Sequence, residues 1–202
     1  MASSLLIILF AMGIYGLQHS LLASLRAKEL AGRWLGDFGR RAYRLFYVIV
    51  GTLTLAPVLA LVALLPDRQL YRIPLPWTIL SEVGQLAGLV GLILAVTKTG
   101  AFPFLGLDVF SSAKSSASSP RLVTSGLYRW VRHPIYSCAL LVLWLTPVMS
   151  VNLLALNIGI SLYFWIGSIF EERKLLHEFG EEYQVYCQRT PRLIPQPWRA
   201  KR

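Results

Sequence analysis

The sequence is short of charge over long stretches. No Asp, Glu, Lys or Arg occurs in residues 1–25, 45–66, 83–97 or 134–170, and the last run, 37 residues long, holds no histidine either. Helices of an ordinary soluble domain keep a polar face, so runs of this kind exclude that class. About 20 apolar residues at 1.5 Å each cross roughly 30 Å of hydrocarbon. Each run is therefore an expected membrane span, and the longest suffices for two. Cysteine is scarce as well. Cys138 and Cys187 are the only two, and they show no metal-ligand spacing, so neither a disulfide framework nor a metal centre is expected. Acids number 10 against 20 bases, a net charge of +10. That surplus flanks the apolar runs instead of mingling with aromatics on a polar surface, which argues against nucleic acid and for membrane lipids.

What is present is apolar: 55% of residues, with a mean hydropathy of +0.54. Residues 3–22 make a first span. A signal peptide is its rival, but there is no basic leader and no small-residue cleavage pattern. Gln18, His19 and Ser20 at its inner end are either a polar cap or part of a site. Residues 26–44 read as a loop with six bases and two acids, cytoplasmic by charge, which puts the N-terminus on the far side. A second span covers 45–65, with a kink expected at Pro57. Residues 66–82 read as an outside loop bearing Trp77. The third span, 83–99, carries Gly84-x-x-x-Gly88, a spacing that lets helices approach closely. Residues 100–107 either continue that element or lie at the interface, and 111–119 form a serine-rich linker. Residues 134–149 and 153–170 are the fourth and fifth spans around a turn at 150–152. From Glu171 to about Gln188, Leu175, Leu176, Phe179, Tyr183 and Tyr186 share a face, as in an interfacial amphipathic helix ended by Pro191 and Pro195.

The expected fold is all-α: an integral membrane bundle of about five transmembrane helices with a C-terminal interfacial helix. It forms a single membrane domain, 1–202, with a three-helix part over 1–110 and a core over 120–195. The C-terminus is expected on the cytoplasmic side. The oligomeric state is left open by the sequence.

Residues 120–136 concentrate the chemistry. Thr124 or Ser125 can cap a short helix and Gly126 permits a tight turn. Pro134 suits a helix start, leaving N–H groups free to hold an anion. Arg132 can hold a carboxylate or phosphate by two parallel bonds. Tyr128 and Tyr136 either stack on a ligand ring or anchor the interface. Glu171-Glu172, closing the uncharged run, are costly there unless paired or used. Their partner is either a ribose diol or cationic amine, or else Arg173, Lys174 or a hinge arginine. Either way, the arginine–histidine–proline corner and the acid pair should meet in space. His177 reads as a surface helix residue.

Leu122-Val-Thr-Ser-Gly-Leu-Tyr128, Arg132-His-Pro-x-Tyr136, Glu171-Glu172, Phe179-Gly-Glu-Glu-Tyr183 and Pro191-x-x-x-Pro195 together resemble the isoprenylcysteine carboxyl methyltransferase and phospholipid methyltransferase superfamily. The front half, with Gln18-His19-Ser20, the segment 41–47 and Gly106-Leu107, is similar to its branch of methanethiol S-methyltransferases and NnrU-like membrane proteins. The resemblance implies a SAM-dependent methyltransferase, with S-adenosylmethionine bound at the cytoplasmic end of the bundle. It implies that Arg121, Leu122 and Val123 line the adenosyl site, that Tyr128, His133, Pro134, Ile135 and Tyr136 surround the cofactor, and that Glu171, with Glu172 beside it, contacts its polar parts. Arg132 and His133, with His19 as a further candidate, are the expected catalytic residues, a histidine taking a proton from a thiol. The isoprenylcysteine enzymes carry an arginine four residues before the first acid, where this chain has Gly167. The implied methyl acceptor is therefore a small thiol, with a prenylated carboxylate or a phospholipid as the alternative. A non-catalytic, NnrU-like membrane protein is the reading from another class.

Overall fold

Ala2–Leu22 forms the first helix, α1, apolar on all sides and long enough to cross a membrane. The computed structural model describes residues 2–110 and 121–196. The linker over 111–119 and the charges Arg199, Lys201 and Arg202 lie outside the described residues. After α1 the Ser24 side chain accepts from the Ala27 N–H at 3.2 Å and caps a 40-residue helix, α2, Leu25–Leu64. The basic segment expected as a loop is therefore helical. It is built largely of Ala, Leu, Arg, Lys and Glu, contains no proline and starts from a cap, so its local preference is helical. Torsions at Pro57 stay helical, and the only non-helical pair inside α2 falls at Gly36, φ 60°, ψ −143°. Only glycine adopts that geometry freely.

A strand, β1, covers Gln69–Arg72, and α3 covers Trp77–Thr99. This helix starts six residues before the expected position because Pro74 and Pro76 punctuate its entry and the Thr78 hydroxyl donates back to the Ile73 carbonyl at 2.5 Å. A short α4 follows, Ala101–Leu105, then a 3-10 turn over Leu107–Phe110. A second 3-10 turn, Gly126–Arg129, precedes α5, Pro134–Trp144. The expected fourth span is thus shortened to 11 residues, about 16 Å of rise. Pro147 disfavours helix at the residue before it and cannot extend one itself. Strand β2, Val148–Ser150, leads into α6, Val151–Phe179, which continues unbroken past Glu171-Glu172. Its uncharged part ends at Phe170, so the membrane-crossing stretch is 153–170 and the acids lie beyond it. Gly180, φ 55°, divides the expected tail helix, and α7 covers Glu181–Arg189. Four helices, α1, α2, α3 and α6, are long and apolar enough to cross a membrane, and α5 is a shorter apolar helix. The fold is an all-α integral membrane helical bundle.

The chain divides into two compact units, and the division does not follow residue 110. The first takes Met1–Leu70, Gly100–Ala117 and Ser150–Ile160. Its core is Met12, Val58 and Leu156, with Tyr15, Leu55 and Ile160 packed on it. Buried Asn152 donates its amide to the carbonyls of Val62 (3.2 Å) and Leu65 (3.0 Å), which α2 leaves without partners where it stops. Gly106, φ 74°, lies so close to the chain at Arg44–Leu45 that a Cβ would collide with that backbone.

The second unit takes Tyr71–Thr99, Ser118–Met149 and Ser161–Arg202. Here the glycine stripe of α3 does what its spacing suggested. A Cβ on Gly84, Gly88 or Gly91 would press into Leu145, Val142 or Cys138, so α5 lies close against α3. Gln85 donates to the Val142 carbonyl at 2.8 Å, and the Ser81 hydroxyl donates to that of Leu145. These side chains satisfy the carbonyls left open by the early end of α5.

Candidate functional site

The residues that matter come together at the start of α5. Gly126, φ 65°, opens the 3-10 turn, and Ser125 stands at its N-cap without a side-chain bond. The turn sets Tyr128 inward, 9% exposed, where its carbonyl accepts the Tyr186 hydroxyl at 2.5 Å. The C-terminal segment then straps over the corner. The Arg132 N–H donates to the Pro191 carbonyl (2.9 Å), the His133 N–H to Arg192 (3.1 Å), and the Ser137 hydroxyl to Leu193 (2.6 Å).

The two glutamates have different surroundings. Glu172 is nearly buried, 13% exposed, and both its oxygens are engaged. Oε1 accepts Arg132 Nε at 2.8 Å and His133 Nε2 at 3.2 Å, with Arg132 Nη2 2.7 Å away, while Oε2 accepts Arg192 Nη2 at 2.7 Å. Burial alone would raise its pKa. The bonds from His133, Arg192 and Arg132 outweigh that and bring it down to about 2. Glu171 is half-exposed, and Oε2 alone accepts its two bonds, from the Tyr136 hydroxyl at 3.0 Å and from His133 Nδ1 at 3.3 Å. Burial opposes its ionisation too, but the His133 and Tyr136 bonds hold its pKa low. At Tyr128 burial and then the charge of Glu171 push the phenol up to about 12, so it stays a neutral donor.

Arg132 spends its remaining donors on the Thr190 (2.7 Å) and Cys187 (3.0 Å) carbonyls. The carboxylate its guanidinium holds is that of Glu172, so it clamps α5, α6 and the tail together. His133, 5% exposed, has each ring nitrogen on a carboxylate. Burial would lower its pKa, and the bonds to Glu171 and Glu172 reverse that and raise it. An imidazole that donates from both nitrogens is a cation, and here it sits between the two acids. Stability follows. The contribution of His133 is complete below its ordinary pKa of about 6.5 and is lost as pH rises through the raised value. That of Glu172 is complete above the ordinary carboxylate range and is lost only as pH falls toward about 2. The unfolding temperature in detergent should hold between about pH 5 and 6.5 and decline on the alkaline side, and His133→Gln should remove that decline.

Of the other expected residues, Pro134 is buried at the first turn of α5, followed by half-buried Ile135. His133 is the N-cap of this helix without a side-chain cap bond. Arg121 is exposed and Leu122 and Val123 are half-buried in the extended approach to the turn. No hydrogen bond from these three to the corner is among the described contacts. His19 belongs to the other unit. There its Nε2 bonds the Tyr47 hydroxyl, its ring stacks on Tyr15 at 5.4 Å, and a Cβ on Gly51 would collide with it.

Two contributors escaped sequence reading. Arg192 belongs to no motif, although its place between Pro191 and Pro195 favours an extended strap. Phe164 stacks on Tyr136 at 4.7 Å and 9°, and Tyr136 stacks on His133 at 5.4 Å and 5°. Nothing in the sequence separates Phe164 from its apolar neighbours.

A family model described as phospholipid methyltransferase matches residues 81–182. Methanethiol S-methyltransferase 1 of Bradyrhizobium diazoefficiens is 32% identical over 98% of this chain and 68% of its own length. Methanethiol S-methyltransferase of Crocosphaera subtropica is 28% identical over 96% of this chain and 76% of its own length. Human protein-S-isoprenylcysteine O-methyltransferase is 38% identical over 37% of this chain and 27% of its own length. No solved structure matches.

Proposed function

The chain belongs to the phospholipid methyltransferase family, and from that premise we propose that it moves a methyl group from S-adenosylmethionine to a small thiol of the methanethiol kind. That it is an integral membrane methyltransferase follows from its family and its apolar helices. The observation that carries the finer reading is the half-exposed Glu171, beside a stacked aromatic column at the start of α5. Such a corner suits a ligand with a cationic amine and an aromatic base, both of which this cofactor has. Glu171 would take the ammonium or ribose hydroxyls, the first turn of α5 the carboxylate, and Tyr128 a polar edge. Arg121, Leu122 and Val123 would border the base. S-adenosylmethionine supplies, when bound, a methyl group on a cationic sulfonium, ready for in-line displacement.

The residues of the chain align and exclude water. Aligned reactants gain roughly 7–11 kcal/mol over separated ones, and two partners of opposite charge react more readily where water is shut out. A Cβ on Gly167, one turn before Glu171, would meet nothing within 4 Å, which leaves room for a small acceptor. With His133 held as a doubly bonded cation, no base is assigned at the corner, so the acceptor enters as its thiolate and its proton goes to water. The methylation rate should then rise with pH along the titration of the acceptor, and a more acidic thiol should shift the profile down by the difference in thiol pKa. A profile that ignores the acceptor would instead require a protein base.

The basic segments support a cytoplasmic position for the corner by the positive-inside rule. A single cysteine at Arg129, in a background without Cys138 and Cys187, should be labelled from that side only. The activity itself is tested by incubating the purified chain with radiolabelled S-adenosylmethionine and a panel of small thiols, prenylcysteines and phospholipids. Transfer to the thiols supports the reading. Transfer only to prenylcysteine or lipid, or none at all, refutes it.

A further inference from the structure

We propose that the bent basic arm between the first two spans binds one anionic phospholipid, with the phosphate among Lys28, Arg33 and Arg40. The break at Gly36 turns α2 sharply enough that Gly39 lies on the Ala31 carbonyl, where any Cβ would collide. The same turn lays the Arg40 side chain across Gly32, whose missing Cβ would otherwise stand 2.9 Å from Arg40 Cγ. Between the two arms is a cavity of about 400 Å³, lined by Leu25, Lys28, Glu29, Gly32, Arg33 and Arg40.

Three cations face one carboxylate there. Among the described residues neither Lys28 nor Arg33 has an ion-pair partner, and Arg40 reaches only Asp37, at 3.9 Å with both side chains exposed. The cavity thus carries surplus positive charge suited to a phosphate diester. The same segment carries exposed apolar side chains on both sides of the break: Leu30 is 53% exposed, Trp34 84% and Phe38 70%. Cations beside an exposed tryptophan, phenylalanine and leucine match a molecule with an anionic head and acyl chains, which a free phosphate is not. This site involves neither Glu171 nor His133 and stands apart from the proposed methyl transfer.

The test is a titration of the full chain in neutral detergent, read by native mass spectrometry. Dioctanoyl phosphatidylglycerol should bind saturably at one copy per chain, and dioctanoyl phosphatidylcholine at least about tenfold more weakly. Arg33→Gln with Arg40→Gln should weaken phosphatidylglycerol binding by about tenfold, whereas Arg72→Gln should leave it unchanged. If the double variant unfolds early, the single variants give the same reading with smaller losses. Equal binding of both lipids, or no effect of the arginine variants, would overturn the proposal. Displacement of the lipid by millimolar inorganic phosphate would overturn it as well, marking a free-anion site.

Discussion

Glu172→Gln is expected to destabilise the second unit by about 3 kcal/mol and to abolish methyl transfer with it. One carboxylate accepts from Arg132, His133 and Arg192, and so ties α6 to the start of α5 and to the tail strap. The amide keeps the shape but removes the charge, leaving two guanidinium groups without their counter-ion and the imidazolium with Glu171 alone. Breaking a buried pair from one side costs about 3–5 kcal/mol for that reason. The lower figure applies because Arg192 is partly exposed, at 28%. For a chain of this length the unfolding temperature should fall by roughly 10 °C. Thermal unfolding in detergent reads this directly. Arg132→Ala should show a comparable fall, since it also removes the bonds to the Thr190 and Cys187 carbonyls. Unchanged melting in both variants would mean that the strap is held by something else.

Glu171→Gln should do the opposite: leave the unfolding temperature within about 2 °C and weaken the methyl donor by 10- to 100-fold. Its side chain is half-exposed and only one of its oxygens is occupied by the protein. Little packing depends on it. A charge-assisted bond to a ligand cation or hydroxyl is worth about 1.5–3 kcal/mol, which is the stated range in affinity. Equilibrium binding of S-adenosylmethionine to the purified variant measures it. The contrast between neighbours is the informative result, since a general effect of losing an acid would give both variants the same phenotype.

Much of this was legible in the residues. The uncharged run of fixed length required that its two ends, the Arg132-His133-Pro134 corner and the acid pair, return to the same place, and they do. The glycine stripe of α3 foretold the close packing of α5. What could not be read was the difference between Glu171 and Glu172. Adjacent residues on a helix point about 100° apart, and which one faces the strap depends on the tertiary path of the tail. The same path brought Arg192 onto Glu172 and set both nitrogens of His133 against carboxylates. The break at Gly36 was not foreseen: a glycine inside a helical segment carries no signal of which torsion it adopts, and only this residue type reaches φ 60°, ψ −143° freely. The basic segment 26–44 looked like a loop because charge was weighed above helix preference. Its local preference won, and with it came the bent arm and its cavity.

The most direct measurement is photolabelling of the purified chain with an azido-adenosyl analogue of S-adenosylmethionine, followed by peptide mapping. Label should fall within 121–136 and 163–175, and excess S-adenosylmethionine should suppress it. Label confined to 1–64, or label that excess cofactor does not displace, would contradict a methyl-donor site at the His133–Glu171 corner.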